Sequence, residues 1–356
     1  MTTLAHPLWR PMSGCGPDCL PLPGQSPAVP VARQVGRAAA LLGMLGLGIG
    51  LAALLPLLPA QERQAAMRGW ARATARACGV HLTVRGRLPR RRALLVANHV
   101  SWWDILAVLA VAPARLVAKH EVGRWPLVGL LARAAGTVFV DRSRPRALPT
   151  TVGRVAATLR ANRSVAVFPE GTTWCGAGAG CRPPAGFRPA MFQAAIDAGA
   201  PVVPLRIGYR CGVTGEPTTA PAFVGDETLL RSVRRVLAAR DLTVTVEIAA
   251  PLHPGRAADR RTLARVAESA VHLVPSAAVS SRTEAAPAVS RPEAEPARPA
   301  VVVEPARPEP LRPEGVAEPP RSETVPVPAW PQARPAPAGT GPDVGSVPGR
   351  ELPLAA

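Results

Sequence analysis

The sequence predicts an α/β domain with a largely parallel sheet covered by helices. One observation is the alternation of elements. Short apolar runs fall near 93–97, 115–118, 137–141, 164–168, 202–208 and 242–249, and helical patterns fall between and after them, near 102–112, 123–134, 146–161, 187–198 and 257–273. Strands alternating with helices give parallel strands joined by crossover helices. A second observation is the run Ala93-Leu-Leu-Val-Ala97, apolar at every position. A strand covered on both faces reads this way. A further segment, His81-Leu-Thr-Val-Arg85, alternates and reads as one more strand ahead of the series.

The regions flanking this domain differ in composition. Residues 1–32 are Pro- and Gly-rich without hydrophobic periodicity and read as a flexible leader. Residues 33–60 form a membrane-anchoring segment. Ala38 to Leu55 carries no charge, and the apolar stretch continues to Ala60 through Pro56 and Pro59. Eighteen or so uncharged residues are enough to cross a bilayer. A cleaved signal peptide fits less well, because the run starts late and is long. A buried core helix is the soluble alternative. The prolines either end a spanning helix or turn the chain back within one leaflet. Arginines on both sides, at 33 and 37 and again at 63, 68, 72 and 76, give no orientation. Gln61 to Cys78 reads as an amphipathic helix with Met67, Trp70, Ala71 and Cys78 near one stripe, suited to the headgroup level. The folded domain is expected over 61–275. Residues 276–356 contain 18 prolines in 81 positions, and such a segment buries too little apolar surface to order itself.

Charge narrows the partners. Residues 1–275 hold 34 basic and 14 acidic side chains, whereas the tail holds 8 and 10. A basic domain suits an anionic membrane surface or nucleic acid. Aromatics are few and no nucleic-acid motif is present, so membrane lipid is the expected partner and nucleic acid is not. Of the 42 basic residues, Lys119 is the single lysine. The six cysteines contain no Cys-x-x-Cys pair and no histidine at zinc-finger spacing, so no metal site is expected. Cys175 and Cys181 are near enough in sequence to close a small disulfide loop, but free thiols are the expectation for a cytosolic protein.

The chemistry concentrates in Asn98-His99-Val100-Ser101-Trp102-Trp103-Asp104, where the apolar strand gives way to a helix. Five residues separate His99 from Asp104. On one helix that spacing turns the chain by about 500°, which puts the two side chains on different faces. They meet if His99 lies in the turn and Asp104 in the first helical turn. The carboxylate then fixes one ring nitrogen and leaves the other able to take a proton. No serine or cysteine nucleophile accompanies the pair, so the attacking hydroxyl would belong to a substrate. A plainer reading is a helix capping box, Ser101-x-x-Asp104.

Three later blocks sit at strand ends: Gly136-Thr-Val-Phe-Val-Asp141-Arg142, Val165-Ala-Val-Phe168-Pro169-Glu170-Gly171-Thr172-Thr173, and Val202-Val203-Pro204-Leu205. Singly they read as an ion pair, a turn and core. In this order and spacing, the four blocks resemble the phospholipid/glycerol acyltransferase family, best known for its 1-acylglycerol-3-phosphate acyltransferases. Asn98, His99, Ser101 and Asp104 match its Asn-His-x-Ser-x-x-Asp motif. Asp141-Arg142 matches the second, Phe168 to Thr172 the third, and Val203-Pro204 the fourth. Ala118-Lys119-His120-Glu121 and Trp125-Pro126-x-x-Gly129 look like the family's Lys-x-Glu-Leu and Pro-x-x-Gly run. The resemblance spans roughly 63–275.

The resemblance implies transfer of a fatty acyl group from acyl-CoA or acyl-carrier protein to a lysophospholipid hydroxyl, at the cytosolic face of the cytoplasmic membrane. The leading acceptor is 1-acylglycerol-3-phosphate, giving phosphatidic acid, and a lyso-ornithine lipid is the alternative. A non-catalytic membrane-anchored scaffold using the Pro-rich tail is the reading of another class. The resemblance calls for no cofactor. His99 would deprotonate the acceptor hydroxyl and Asp104 would orient the imidazole. Substrate contact would fall to Asn98, Ser101, Lys119, Asp141, Arg142, Glu170, Gly171, Thr172 and Arg188. Within that set, Arg142 would pair with an acceptor phosphate, Glu170 would order the acceptor pocket, and the Gly171 turn would supply oxyanion donors. One departure bears on the acceptor. The family's third motif continues Arg-Ser, whereas this chain continues Thr173-Trp174. Arg182 or Arg188 would then replace the missing phosphate ligand of a lysophosphatidate enzyme. The Thr172-Thr173 form, followed by Phe187, Arg188 and Phe192, looks instead like the lyso-ornithine-lipid acyltransferase branch.

Overall fold

Strands buried on both faces organise the chain. The computed structural model describes residues 13–273 apart from 23, 91, 178, 257 and 258. The Pro-rich tail expected at 276–356 lies outside the described residues. In chain order the main elements are α1 (Val31–Leu54), α2 (Ala60–Ala77), β1 (Val80–Arg85), β2 (Leu94–Ala97), α3 (Trp103–Val111), β3 (Ala114–Lys119), α4 (Val128–Ala134), β4 (Val138–Val140), α5 (Leu148–Arg160), β5 (Ser164–Val167), α6 (Ala190–Ala198), β6 (Val202–Cys211), α7 (Leu229–Ala238), β7 (Leu242–Ile248) and α8 (Arg260–Leu273).

The described strands form one sheet in the order β1-β7-β6-β2-β5-β3-β4. β2 lies at its centre, parallel to β5 and β6. β3 is parallel to both β5 and β4. β7 runs antiparallel to β6, and β1 is parallel to β7. The sheet is therefore largely parallel, with a reversed pair at one edge. Five strands end on the same side, which is where open α/β sheets gather their functional groups. Side chains alternate across β2. Leu95 and Ala97 enter a core with Val203, Leu205 and Ile207 under Ala75 of α2, Trp103 of α3 and Val236 of α7. Leu94 and Val96 enter the opposite core with Val165 and Val167 under Leu159, Phe192 and Leu263 of α5, α6 and α8.

Three local outcomes differ from the pattern-based expectation. The helix expected near 123–134 is split into a 3-10 turn, His120–Arg124, and the shorter α4. Pro126 holds Trp125 extended at φ −67°, ψ 132°, and Gly129 sits where a Cβ would lie 2.5 Å from the Gly123 carbonyl oxygen. The amphipathic α7 lies in a stretch the hydrophobic pattern left unassigned. It is capped by Thr228, whose hydroxyl accepts from the Arg231 N–H. The described part of the leader is docked rather than loose. Cys15 is 6 % exposed, the Val29 N–H donates to Ala238 O, and the Arg240 N–H donates to Pro27 O. These contacts involve residues more than 200 positions away, which local composition does not register.

The apolar segment is mostly exposed rather than core. Residues Val31–Leu57 have a mean hydropathy of 2.2 in their most apolar window, and only 6 % of that window is buried. At 1.5 Å per residue a helix of this length measures about 40 Å, more than the ~30 Å of a bilayer's hydrocarbon. The chain then reverses through Pro56 and Pro59, and α2 folds back along α1. The Trp70 indole N–H donates to Met44 O at 2.8 Å, and the ring covers Gly48, where a Cβ would sit 2.9 Å from Trp70 Cζ2. Near the start of α1, the Arg37 guanidinium donates to Leu237 O and Ala239 O at the end of α7. Gly48→Val is expected to displace Trp70 and cost about 1–3 kcal/mol. An unchanged melting temperature in detergent would show that the two helices do not pack through this contact.

Candidate active site

Asn98 follows the last residue of β2 and continues that strand's pairing with its side chain. Its Nδ2 donates to Ile207 O at 2.9 Å, and its Oδ1 accepts from the Ile207 N–H at 2.7 Å. This two-point clasp on β6 fixes the chain's exit from the sheet. The next turn folds around one carboxylate. Asp104 is fully buried. Its Oδ2 lies 2.8 Å from His99 Nδ1 and accepts from the Val100 and Ser101 N–H groups at 2.7 and 2.8 Å. Its Oδ1 accepts from the Tyr209 hydroxyl. Burial, followed by the Asp104 charge, raises the Tyr209 phenol well above its ordinary value, so it stays protonated and donates. The Ser101 hydroxyl oxygen accepts from the Trp103 N–H at 3.2 Å. Cap and dyad are thus one structure, because the carboxylate that closes the turn ahead of α3 also holds the histidine.

A second carboxylate supports the turn from below. Glu170 is 1 % exposed. Its Oε2 accepts from the His99 N–H at 2.7 Å and its Oε1 from the Trp174 indole N–H at 3.0 Å. His272 Nε2 approaches Oε1 to 3.5 Å. The Trp174 N–H in turn donates to His99 O. Phe168, at the end of β5, stacks on the imidazole with centroids 4.0 Å apart and planes 15° from parallel. His99 is thereby held at its backbone, at Nδ1 and on one ring face.

Beside Phe168 opens a cleft of about 150 Å³ at the carboxyl ends of β3, β4 and β5. Lys119, Arg142 and Arg188 line it, with Phe168, Pro169, Gly171 and Met191 forming apolar wall. Burial lowers the guanidinium pKa of Arg142 and of Arg188, yet arginines keep their charge in proteins. Partly desolvated cations in a concave site favour an anion.

The residues expected at the site separate into two groups. His99, Lys119, Arg142, Gly171 and Arg188 reach the dyad or the cleft. Asn98, Ser101 and Glu170, also expected to contact substrate, do not line the cleft, and their polar atoms are hydrogen-bonded within the protein. The two Glu170 oxygens accept from the His99 N–H and the Trp174 indole, which ties Glu170 to the dyad turn. Asp141 lines the cleft but is tied to its own loop. The Ser143 hydroxyl holds its carboxyl below the usual range, and His120 and Arg144 lie 3.6 and 3.5 Å away. The Thr172 hydroxyl is directed at the Thr173 carbonyl, 3.5 Å away. The Gly171 N–H donates to Phe168 O at 3.0 Å, at φ +75°, so it is not an oxyanion donor in this arrangement. Thr173, where the family motif has arginine, turns away and donates to Phe223 O. Of the two arginines considered as its replacement, Arg188 lines the cleft and Arg182 does not. Sequence reasoning missed Tyr209, Trp174 and His272. The inward alternation of Leu205, Ile207 and Tyr209 was the readable sign of the first.

A buried carboxylate that orients a histidine at the carboxyl edge of a parallel sheet, next to a cationic cleft, is a geometry suited to general-base chemistry beside an anion. The chain belongs to the acyltransferase family. Residues 80–208 match the family model described as Acyltransferase. The lyso-ornithine lipid O-acyltransferase of Pseudomonas aeruginosa is 37 % identical over 248 residues, covering 68 % of this chain and 93 % of that one. The 1-acyl-sn-glycerol-3-phosphate acyltransferase of Neisseria gonorrhoeae is 35 % identical over 181 residues, covering 51 % and 68 %. The solved 1-acyl-sn-glycerophosphate acyltransferase PlsC of Thermotoga maritima shares the fold, with a TM-score of 0.50 at 19 % identity over 67 % of this chain and 93 % of that one.

Replacing Glu170 by alanine leaves two buried donors without an acceptor. The expected cost is about 2–4 kcal/mol. Thermal unfolding of Glu170→Ala against the unsubstituted protein checks this. An unchanged melting temperature would mean Glu170 does not hold the dyad turn.

Proposed function

We propose that the chain transfers a fatty acyl group from a thioester, acyl-CoA or acyl-carrier protein, to the hydroxyl of a lysolipid at a membrane surface. The observation that carries this reading is the 2.8 Å contact between His99 Nδ1 and a buried Asp104. With the proton on Nδ1, the other ring nitrogen accepts the hydroxyl proton as the oxygen attacks the thioester carbonyl. The tetrahedral adduct then collapses, the thiolate leaves, and Asp104 stabilises the imidazolium until the proton passes to the departing sulfur. The anionic group of the lysolipid, a phosphate or a carboxylate, would sit in the cleft of Lys119, Arg142 and Arg188.

Two headgroups compete. Lyso-ornithine lipid is favoured by Thr173, which leaves the cleft without the arginine of the phosphate-type motif. The relative that this chain matches over 93 % of its length also bears that activity. Lysophosphatidate is favoured by the three cations in the cleft. Attachment to the membrane would come from α1, whose exposed Leu42, Leu47 and Leu54 lie on the hairpin that returns through Pro56 and Pro59. A hairpin of this kind brings both ends to the same side of the bilayer.

Purified protein in detergent is to be offered both acceptors with each donor. Turnover is expected on lyso-ornithine lipid, and Thr173→Arg is expected to shift preference toward lysophosphatidate. No turnover on either acceptor with either donor would sink the proposal. His99→Ala is expected to lower kcat by about 10²–10⁴-fold while leaving the protein folded. Full activity in that variant would rule out the dyad mechanism.

A further inference from the structure

Away from the dyad, the fold brings together four cysteines that the sequence keeps far apart. Cys15 and Cys19 come from the leader, and Cys175 and Cys181 from the loop after the Glu170-Gly171 turn. Their four Sγ atoms all lie within 4.8 Å of one another, and Cys19 and Cys181 are 3.9 Å apart. Four thiolates at the usual Zn–S length of about 2.3 Å, arranged tetrahedrally, stand about 3.8 Å apart. A disulfide would instead require about 2.05 Å. The six cysteines are free thiols, and four of them converge on one point instead of forming two pairs.

The surrounding backbone suits thiolates. The Cys175 N–H donates to Cys15 Sγ at 3.2 Å. Two of the ligands end short 3-10 turns, Pro17–Cys19 and Ala179–Cys181. Gly176 follows Cys175 at φ +75° with Val100 against it, a conformation and a space that favour glycine. Cys15 and Cys175 are buried and the other two are half-buried.

We propose that Cys15, Cys19, Cys175 and Cys181 bind one structural zinc ion. Four protein ligands fill a tetrahedral shell and leave no position for substrate, so the ion would be a staple and not part of the chemistry. Its place gives it a purpose. Trp174, the residue before Cys175, donates to Glu170 and to the carbonyl of His99. The other pair of ligands precedes the point where the leader joins α7 and then enters α1. Zinc would therefore lock the loop under the dyad to the segment that leads to the apolar helix. The earlier expectation of no metal site came from spacing within short windows, and a pair of ligands 160 residues from its partner escapes that test.

The test uses full-length protein in detergent, purified without a metal-affinity column. Elemental analysis is expected to find about one zinc per chain. Cys19→Ser/Cys181→Ser is expected to lose it, while Cys78→Ser and Cys211→Ser keep it. Cobalt exchanged into the wild-type protein should show the visible absorption of a tetrahedral thiolate site, and a strong chelator should lower the melting temperature. These last two readouts need no variant and stand if the double substitution fails to fold. Absence of metal with all four thiols alkylated in the native state would overturn the proposal. So would a disulfide among the four, or iron in place of zinc. None of these outcomes depends on which lipid the enzyme acylates.

Discussion

The Asp104 carboxylate carries a charge in a place closed to water, and much of the site exists to satisfy it. An ionised group buried without partners costs several kcal/mol. Asp104 instead accepts from the His99 ring, the Val100 and Ser101 N–H groups and the Tyr209 hydroxyl. Hydrogen bonds to a charged acceptor each contribute about 1.5–3 kcal/mol. That concentration of donors bends the chain sharply after β2 and starts α3. It also couples the dyad to β6, because Tyr209 and the Asn98 clasp on Ile207 belong to the same strand pairing. The histidine is therefore placed by the sheet and not by a mobile loop.

From that constraint follows a division of labour. Asn98, Ser101 and Glu170 are buried: Asn98 clasps Ile207 of β6, Ser101 accepts from the Trp103 N–H, and Glu170 accepts from the His99 N–H and the Trp174 indole. His99 remains part-exposed above them, and Lys119, Arg142 and Arg188 line the neighbouring cleft. Parallel strand order makes the juxtaposition possible, since β2, β5, β3 and β4 all end on one edge. The docked leader and the α1–α2 hairpin bring the exposed apolar helix to the same domain.

The sequence made the strands and most helices legible because apolar runs of the right length suffice to identify buried parallel strands. The spacing of His99 and Asp104 also made their contact readable, since only a turn followed by a helix lets them meet. What escaped was long-range. Glu170 looked like a pocket residue because its partners, the His99 N–H and the Trp174 indole, are set by tertiary packing. Docking of Pro27 and Val29 at the end of α7, and of Cys15 and Cys19 on the loop of Cys175 and Cys181, was invisible in a Pro- and Gly-rich stretch. Pro126 shortened α4 through its effect on Trp125, and α7 went unassigned although its cap, Thr228, stood in view. The cysteines are the sharpest case, because each pair looked unremarkable until the fold placed it against the other.

The tautomer of His99 tests the central claim most directly. Nitrogen NMR of protein carrying labelled histidine, with the His99 signals assigned by their loss in His99→Gln, reads which ring nitrogen holds the proton in the neutral ring. The account predicts a protonated Nδ1 facing Asp104 and a bare Nε2 able to take a proton, with the preference lost in Asp104→Asn. A proton found on Nε2 in the wild-type protein would contradict it, because the free nitrogen would then face the carboxylate and no base would face the substrate.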